Sequence, residues 1–96
     1  MTTERLIKAK VINVQPNLGY GYHKGHIVAA WPDTHKYDDE PMWRVCLTDG
    51  RADRRLTVPQ VRHSLQALRD SSGKVVYWTE QESKNILSAH WFDLTR

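Results

Sequence analysis

The dipeptide Asp49-Gly50 constrains the fold more than any other feature of this sequence. Residues 42–48, just before it, alternate between apolar and polar side chains, and residues 51–58 follow it directly. Alternation with a period of two is typical of a strand that buries one face. Asp-Gly supplies the positive φ values of a two-residue type I′ turn. We therefore predict that the two segments pair as an antiparallel hairpin.

Other strands are predicted on both sides of this hairpin. Residues 6–14 begin with alternating polar and apolar side chains, and residues 25–31 and 74–79 are rich in β-branched and aromatic residues. Residues 32–41 are mostly polar and bounded by prolines, which predicts a loop.

One amphipathic helix is predicted over residues 59–69. Pro59 suits a first helical position, and Val61, Leu65 and Leu68 follow at helical spacing. Arg62 and Arg69 would then share one face of this helix.

The C-terminal segment admits two interpretations. Glu80 and Glu82 are typical of a helix start, but the polar run 80–85 leaves Ile86 without an apolar partner one turn earlier. We therefore predict a hairpin with strands at 75–79 and 86–94, and a helix remains the alternative.

These elements define a fold class. Ninety-six residues suffice for one core, so we predict a single domain over residues 1–96. The order of elements and the short connections predict an α+β fold. It would contain a small antiparallel, strongly bent sheet or barrel of about six strands, with the one helix against it.

Two stretches resemble known families. Residues 24–58 resemble a Tudor-like small β-barrel, in which a glycine-led strand, an aromatic-ended strand and a tight Asp-Gly hairpin follow one another. Residues 10–25 are similar to the opening of a cold-shock domain, through the run Gly19-Tyr20-Gly21-Tyr22. The second resemblance implies that Tyr20 and Tyr22 stack on nucleic-acid bases.

Charge is distributed unevenly along the chain. The net charge is +3, but residues 51–74 hold six basic and two acidic side chains, whereas residues 33–40 hold one basic and four acidic ones. A segregated basic segment is typical of a surface that binds a polyanion. We therefore predict nucleic acid as the partner, bound through Arg51, Arg55, Arg62, Arg69, Tyr20 and Tyr22. By strand alternation Arg55 lies on the side of Arg51 and Arg54 on the other, so Arg55→Ala should weaken binding more than Arg54→Ala.

Catalytic and metal-binding motifs are weak. Cys46 lies mid-strand and is predicted to be a packed small hydrophobe rather than a nucleophile. His23, His26 and the carboxylates of residues 33–40 lack the spacing of a zinc site. We predict a non-enzymatic module without metal or cofactor. We also predict a symmetric homodimer, because a core limited to 96 residues should leave part of the aromatic surface of the four tryptophans exposed. Two alternative functions remain open: a homodimeric protein-interaction adaptor of phage or mobile-element type with exposed tryptophans, and a small-molecule or metal-dependent enzyme that uses the histidine and carboxylate loop.

The cellular compartment is also suggested by the sequence. The longest apolar stretch, residues 27–31, has five residues, whereas a membrane helix needs about 20. The first residues lack a secretory h-region, and the one cysteine suits a reducing compartment. We expect a cytoplasmic protein that makes no membrane contact.

Overall fold

The fold is a curled antiparallel sheet of five strands with two helices. A computed structural model describes residues 5–37 and 40–94, with side chains described for residues 5–33 and 41–89. The strands lie in the order β4-β3-β2-β1-β5, and every neighbouring pair is antiparallel. The elements are β1 (Ile7–Val11), β2 (Ile27–Tyr37), β3 (Glu40–Cys46), β4 (Arg54–Thr57), α1 (Val58–Ser64), β5 (Leu65–Ala67) and α2 (Glu80–Leu94). The predicted α+β class with a bent antiparallel sheet is confirmed, but the described residues form five strands where about six were expected and two helices where one was expected.

The sheet buries apolar side chains on both faces. One face, here the α1 face, is covered by α1 and by the β1–β2 loop, residues 12–26; the other, the α2 face, is covered by α2. Successive strand residues point to opposite faces, so β2 and β3 contribute to both cores. The α1-face core contains Ala9, Val11, Leu18, Tyr22, Val28, Ala30, Val45, Leu56 and Leu65. The α2-face core contains Leu6, Ala29, Trp31, Cys46 and Ile86.

The predicted central hairpin is present with a different turn. Strands β3 and β4 pair with Val45 opposite Arg54 and Met42 opposite Thr57. The Gly50 N–H donates to the Leu47 carbonyl at 2.8 Å, and the Leu47 N–H donates to the Arg51 carbonyl at 2.9 Å. The connection is therefore a three-residue loop in which Gly50 has φ +82°, rather than a two-residue type I′ turn.

The segment predicted as a loop at 32–41 is mostly strand. β2 continues through Pro32, which lies opposite Trp43 of β3. Proline is tolerated in a strand where no ladder bond needs its N–H. The pairing between β1 and β2 ends at Ile7 and Ala30, so Pro32 has a strand neighbour on one side only.

The helix predicted at 59–69 is shorter than expected. α1 begins with a capping box, in which the Thr57 hydroxyl accepts from the Gln60 N–H and the Gln60 side chain accepts from the Thr57 N–H. It ends at Ser64 because residues 65–67 pair with β1 as strand β5. Leu65 is therefore buried as a strand residue rather than as a helix residue. Arg62 and Arg69 do not share a helix face, because the helix ends between them.

The predicted C-terminal hairpin is wrong, because residues 80–94 form α2. The helix begins with a second capping box: the Glu82 N–H donates to the Thr79 hydroxyl and the Thr79 N–H donates to the Glu82 carboxylate, both at 3.1 Å. Trp78 and Trp91 therefore do not lie on paired strands. The strand predicted at 74–79 is reduced to two isolated bridges, Ile7–Tyr77 and Arg69–Val75.

The part of the chain that the structure describes contains two helices, of 7 and 15 residues. Neither helix there has the length and apolar character that a bilayer crossing requires.

Candidate nucleic-acid interface

The predicted arginines do not form one face. Arg55 points to the α2 face, where its Nε lies 2.9 Å from the Asp33 carboxylate, a group whose side chain is 4% exposed. Arg51 precedes β4, and Ala52 between them has φ +57°. Strand alternation therefore does not run from Arg51 to Arg55, and the prediction that both lie on one side for this reason is wrong.

Arg54 holds the β1–β2 loop in place. Its Nε donates to the Leu18 carbonyl at 2.9 Å, and its Nη2 donates to the Tyr20 carbonyl at 3.2 Å. Its guanidinium carbon also lies 5.9 Å from the centre of the Tyr22 ring. Loop carbonyls that accept from a charged donor form stronger hydrogen bonds than neutral pairs do. Arg54 thus fixes the backbone on both sides of Gly19.

The two tyrosines of this loop have opposite environments. Tyr22 is 3% exposed in the α1-face core. Its hydroxyl donates to the Ala52 carbonyl at 2.5 Å, and burial raises its pKa far above the ordinary value. The ring is therefore covered by protein and is not available to stack on a base. Tyr20 is 95% exposed.

Tyr20 and Arg51 lie on two turns that contact each other. A Cβ built on Gly21 would meet the Ala52 Cβ at 3.3 Å, so the loop backbone touches the hairpin connection. Arg51 is the residue before Ala52, its side chain is 80% exposed, and its Nε is 3.9 Å from the Asp49 carboxylate. We call Tyr20, Arg51 and Arg54 the loop–hairpin surface. It combines an exposed aromatic ring with basic side chains.

Arg62 and Arg69 lie elsewhere. Arg62 is exposed on α1, and Arg69 follows β5 and donates to the Gly73 carbonyl at 2.9 Å. Together with Lys10 and Gln66, Arg69 lines a groove of about 530 Å³ beside β5. Lys10 and Gln66 are directly opposite each other in the β1–β5 pairing. Sequence reasoning missed Lys10, although alternation along β1 would have placed Lys8 and Lys10 on one face.

Cys46 is a packed side chain, as predicted. It is fully buried, and burial, together with the charges of Asp53 and Asp49, raises the pKa of its thiol to about 12. A thiol with this pKa is protonated at neutral pH and is a poor nucleophile.

The histidine and carboxylate loop is described only in part. The rings of His23 and His26 lie 5.2 Å apart at the surface. Within the described residues no three histidine, cysteine or carboxylate side chains are grouped as metal ligands would be. The side chains of His35, Asp38, Asp39 and Glu40 lie outside the described part.

The tryptophans were predicted to leave part of their surface exposed outside the core, but those that are described are mostly buried. Trp31 is 8% exposed, and Trp43 and Trp78 pack against the two cores. Trp91 lies outside the described side chains. Among those that are described, the large hydrophobic residues with substantial exposure are Tyr20 and Tyr77, at 95% and 44%. The described tryptophans thus offer no exposed patch for a homodimer.

Comparison with known proteins identifies no relative. No family model matches the chain, and neither a curated protein nor a solved structure matches it. The resemblances to Tudor-like barrels and to cold-shock domains accordingly remain hypotheses.

Proposed function

We propose that this protein is a non-enzymatic module that binds nucleic acid through the loop–hairpin surface. The observation that carries the proposal is the Tyr20 side chain, which is 95% exposed on a loop whose backbone is bonded to Arg54. A large aromatic ring contributes nothing to the core from this position. An exposed ring on a backbone that is bonded to an arginine has the chemistry of a base-stacking platform.

The two side chains would have different roles. The Tyr20 ring would stack on a base, an interaction worth about 1–3 kcal/mol and tolerant of sequence. Arg51 would neutralise a backbone phosphate, because its guanidinium is exposed and its contact with Asp49 is long. Binding through a loop that is already bonded to the hairpin avoids much of the entropy cost of ordering it.

The remaining predicted arginines would contribute less. Arg55 is paired with Asp33, so its charge is largely neutralised before any ligand arrives. Arg62 and Arg69 lie on separate elements and would act mainly by long-range attraction, which salt screens. We place this activity in the cytoplasm, where the single free cysteine would stay reduced.

Fluorescence anisotropy with labelled single-stranded oligo(dT) and duplex DNA of about 20 nucleotides, at about 50 and 200 mM salt, tests the proposal. Tyr20→Ala should weaken binding about 5- to 150-fold, which corresponds to one lost stacking contact, and Tyr20→Phe should retain most of the affinity. Arg51→Gln should reduce the salt slope by about 0.7 on the single strand. Tyr22→Phe should leave affinity unchanged, because that ring is buried.

Lys84→Gln is the matched charge control, since Lys84 is exposed on α2 and pairs only loosely with Glu80 at 3.8 Å. If the unmodified protein does not bind either oligonucleotide at the lower salt, the proposal is wrong. It is also wrong if Tyr20→Ala and Lys84→Gln change affinity equally.

A further inference from the structure

A second exposed tyrosine stands beside an arginine at the other end of β1. Tyr77 is bridged to Ile7, the first residue of β1, whereas the β1–β2 loop with Tyr20 follows the last, Val11. Four residue steps along a strand amount to about 13 Å. Tyr77 therefore lies on a part of the protein surface that is separate from the loop–hairpin surface.

This place is a pocket of about 390 Å³ lined by Arg5, Ile7, Pro32 and Tyr77. The volume lies within the range of small-ligand sites, roughly 300–1,000 Å³. Ile7 and Pro32 provide an apolar surface, Tyr77 provides an aromatic ring that is 44% exposed, and Arg5 provides the positive charge.

The backbone segment that carries Tyr77 is hydrogen-bonded to β1 and to the residue just before it. The Trp78 N–H donates to the Leu6 carbonyl at 2.8 Å, and the Lys8 N–H donates to the Val76 carbonyl at 2.9 Å. These two bonds bracket Tyr77 and hold its Cα in position.

Arg5 is oriented by two contacts. Its Nε donates to the Trp78 carbonyl at 3.1 Å, and its guanidinium carbon lies 5.6 Å from the centre of the Tyr77 ring. Within the described residues, no ion pair and no hydrogen bond involves its two terminal amino groups. As far as the described residues are concerned, Arg5 is therefore placed at the pocket with its terminal donors open to a ligand.

We propose that this pocket holds one unpaired nucleotide, with the base against Tyr77 and the phosphate on Arg5. The inference rests on the proposed function and specifies its substrate class, which is single-stranded rather than duplex nucleic acid. In a duplex the faces of the bases are stacked on one another, so a ring in a pocket cannot reach them. An unpaired base offers a flat apolar face to the tyrosine and proline, and its phosphate accepts hydrogen bonds from a guanidinium.

The test compares Tyr77→Ala and Tyr77→Phe on labelled single-stranded oligo(dT) and on a duplex of the same length. Tyr77→Ala should weaken single-strand binding about 5- to 150-fold with an unchanged salt slope, and should leave duplex binding unaltered. Tyr77→Phe should retain single-strand binding. Arg5→Gln should instead reduce the single-strand salt slope by about 0.7. Arg5 is exposed, so this variant remains informative if Tyr77→Ala alters the fold.

The outcomes separate this inference from the proposed function. If Tyr20→Ala weakens binding while Tyr77→Ala and Arg5→Gln do not, the pocket is not a nucleotide site and the proposed function stands. If poly-glutamate displaces oligo(dT) in a manner that depends on Tyr77 and Arg5, the pocket recognises acidic peptides and the inference is overturned. If the unmodified protein binds no oligonucleotide, both proposals fall together.

Discussion

The Ser83 hydroxyl oxygen accepts a hydrogen bond from the Leu6 backbone N–H at 3.1 Å, and both residues are fully buried. This bond connects α2 to the residue just before β1, across 77 positions of sequence. Leu6 is also bonded to the chain before α2, because its carbonyl accepts from the Trp78 N–H at 2.8 Å. The C-terminal helix is thus attached to the sheet by polar bonds as well as by the apolar contacts of Ile86.

Ser83→Ala should destabilise the protein by about 1–3 kcal/mol. The substitution removes the acceptor and leaves a buried N–H without it, which costs the desolvation of that group. Ser88→Ala is the matched control, since Ser88 is exposed on the same helix and should change stability by less than about 0.5 kcal/mol. Urea unfolding followed by tryptophan fluorescence measures both. Equal midpoints for the two variants would contradict a structural role for the Ser83 bond.

The N-terminus of α2 should lose stability in acid. The hydrogen bond from the Thr79 backbone N–H, and then that from its hydroxyl, hold the pKa of Glu82 below its usual range. A carboxyl whose pKa is lowered by folding contributes stability above its unfolded pKa, near 4.3, and loses it as the pH falls through the lower, folded value.

Circular dichroism melts between about pH 7 and pH 3 measure this acid effect, with Glu82→Gln as the control. The variant should show a smaller loss of stability over this interval. Part of the loss should remain, because hydrogen bonds from Ser72 and Lys74 also lower the pKa of Asp70. A pH profile identical to that of the unmodified protein would show that Glu82 does not contribute.

The Cys46 thiol should react only when the protein unfolds. Its full burial blocks access, and its pKa of about 12 keeps the thiolate scarce. Labelling with a chromogenic disulfide reagent at about pH 8 should therefore be slow in buffer and fast in urea. Rapid labelling of the native protein would mean that Cys46 is exposed to solvent.

Arg54→Ala should destabilise the protein, whereas Arg62→Ala should not. Arg54 donates to the carbonyls of Leu18, Tyr20 and Asp53, so we expect a loss of about 1–3 kcal/mol. Arg62 is exposed and, within the described residues, makes no hydrogen bond or ion pair; its replacement should change stability by less than about 0.5 kcal/mol. Thermal unfolding tests both variants. If Arg54→Ala melts at the temperature of the unmodified protein, the arginine does not hold the loop.

Local signals were sufficient for several elements. The β3–β4 hairpin follows from alternation around Asp49-Gly50, and the start of α1 follows from Pro59. In each case the necessary information lies within a few neighbouring residues, through backbone dihedral preference and the period of the apolar side chains. The packed state of Cys46 was predicted from its position in the middle of a strand, although alternation groups it with Arg44 and Thr48; it is buried because the second face of the sheet is covered as well.

Other features were decided by residues distant in sequence. α1 ends at Ser64 because residues 65–67 pair with β1, although Leu65 and Leu68 have helical spacing. Residues 80–94 are helical although the polar run before Ile86 favoured a hairpin; the Thr79–Glu82 capping box is a local signal, but the bond from Leu6 to buried Ser83, which replaces an apolar partner in that turn, is not. Neither β1, the pairing partner of residues 65–67, nor Leu6, the partner of Ser83, can be identified from the local sequence pattern.

The candidate site shows the same division. Composition and charge indicated basic and aromatic side chains, and Tyr20 and Tyr22 were equivalent in the sequence. Only the folded chain separates them, because the Tyr22 hydroxyl meets the Ala52 carbonyl in the core while Tyr20 remains 95% exposed. Ion pairing also distinguishes the arginines from one another, since Asp33 on β2 binds Arg55 on β4. Residue types are set locally, but exposure and ion pairing depend on which distant segments the sheet brings together.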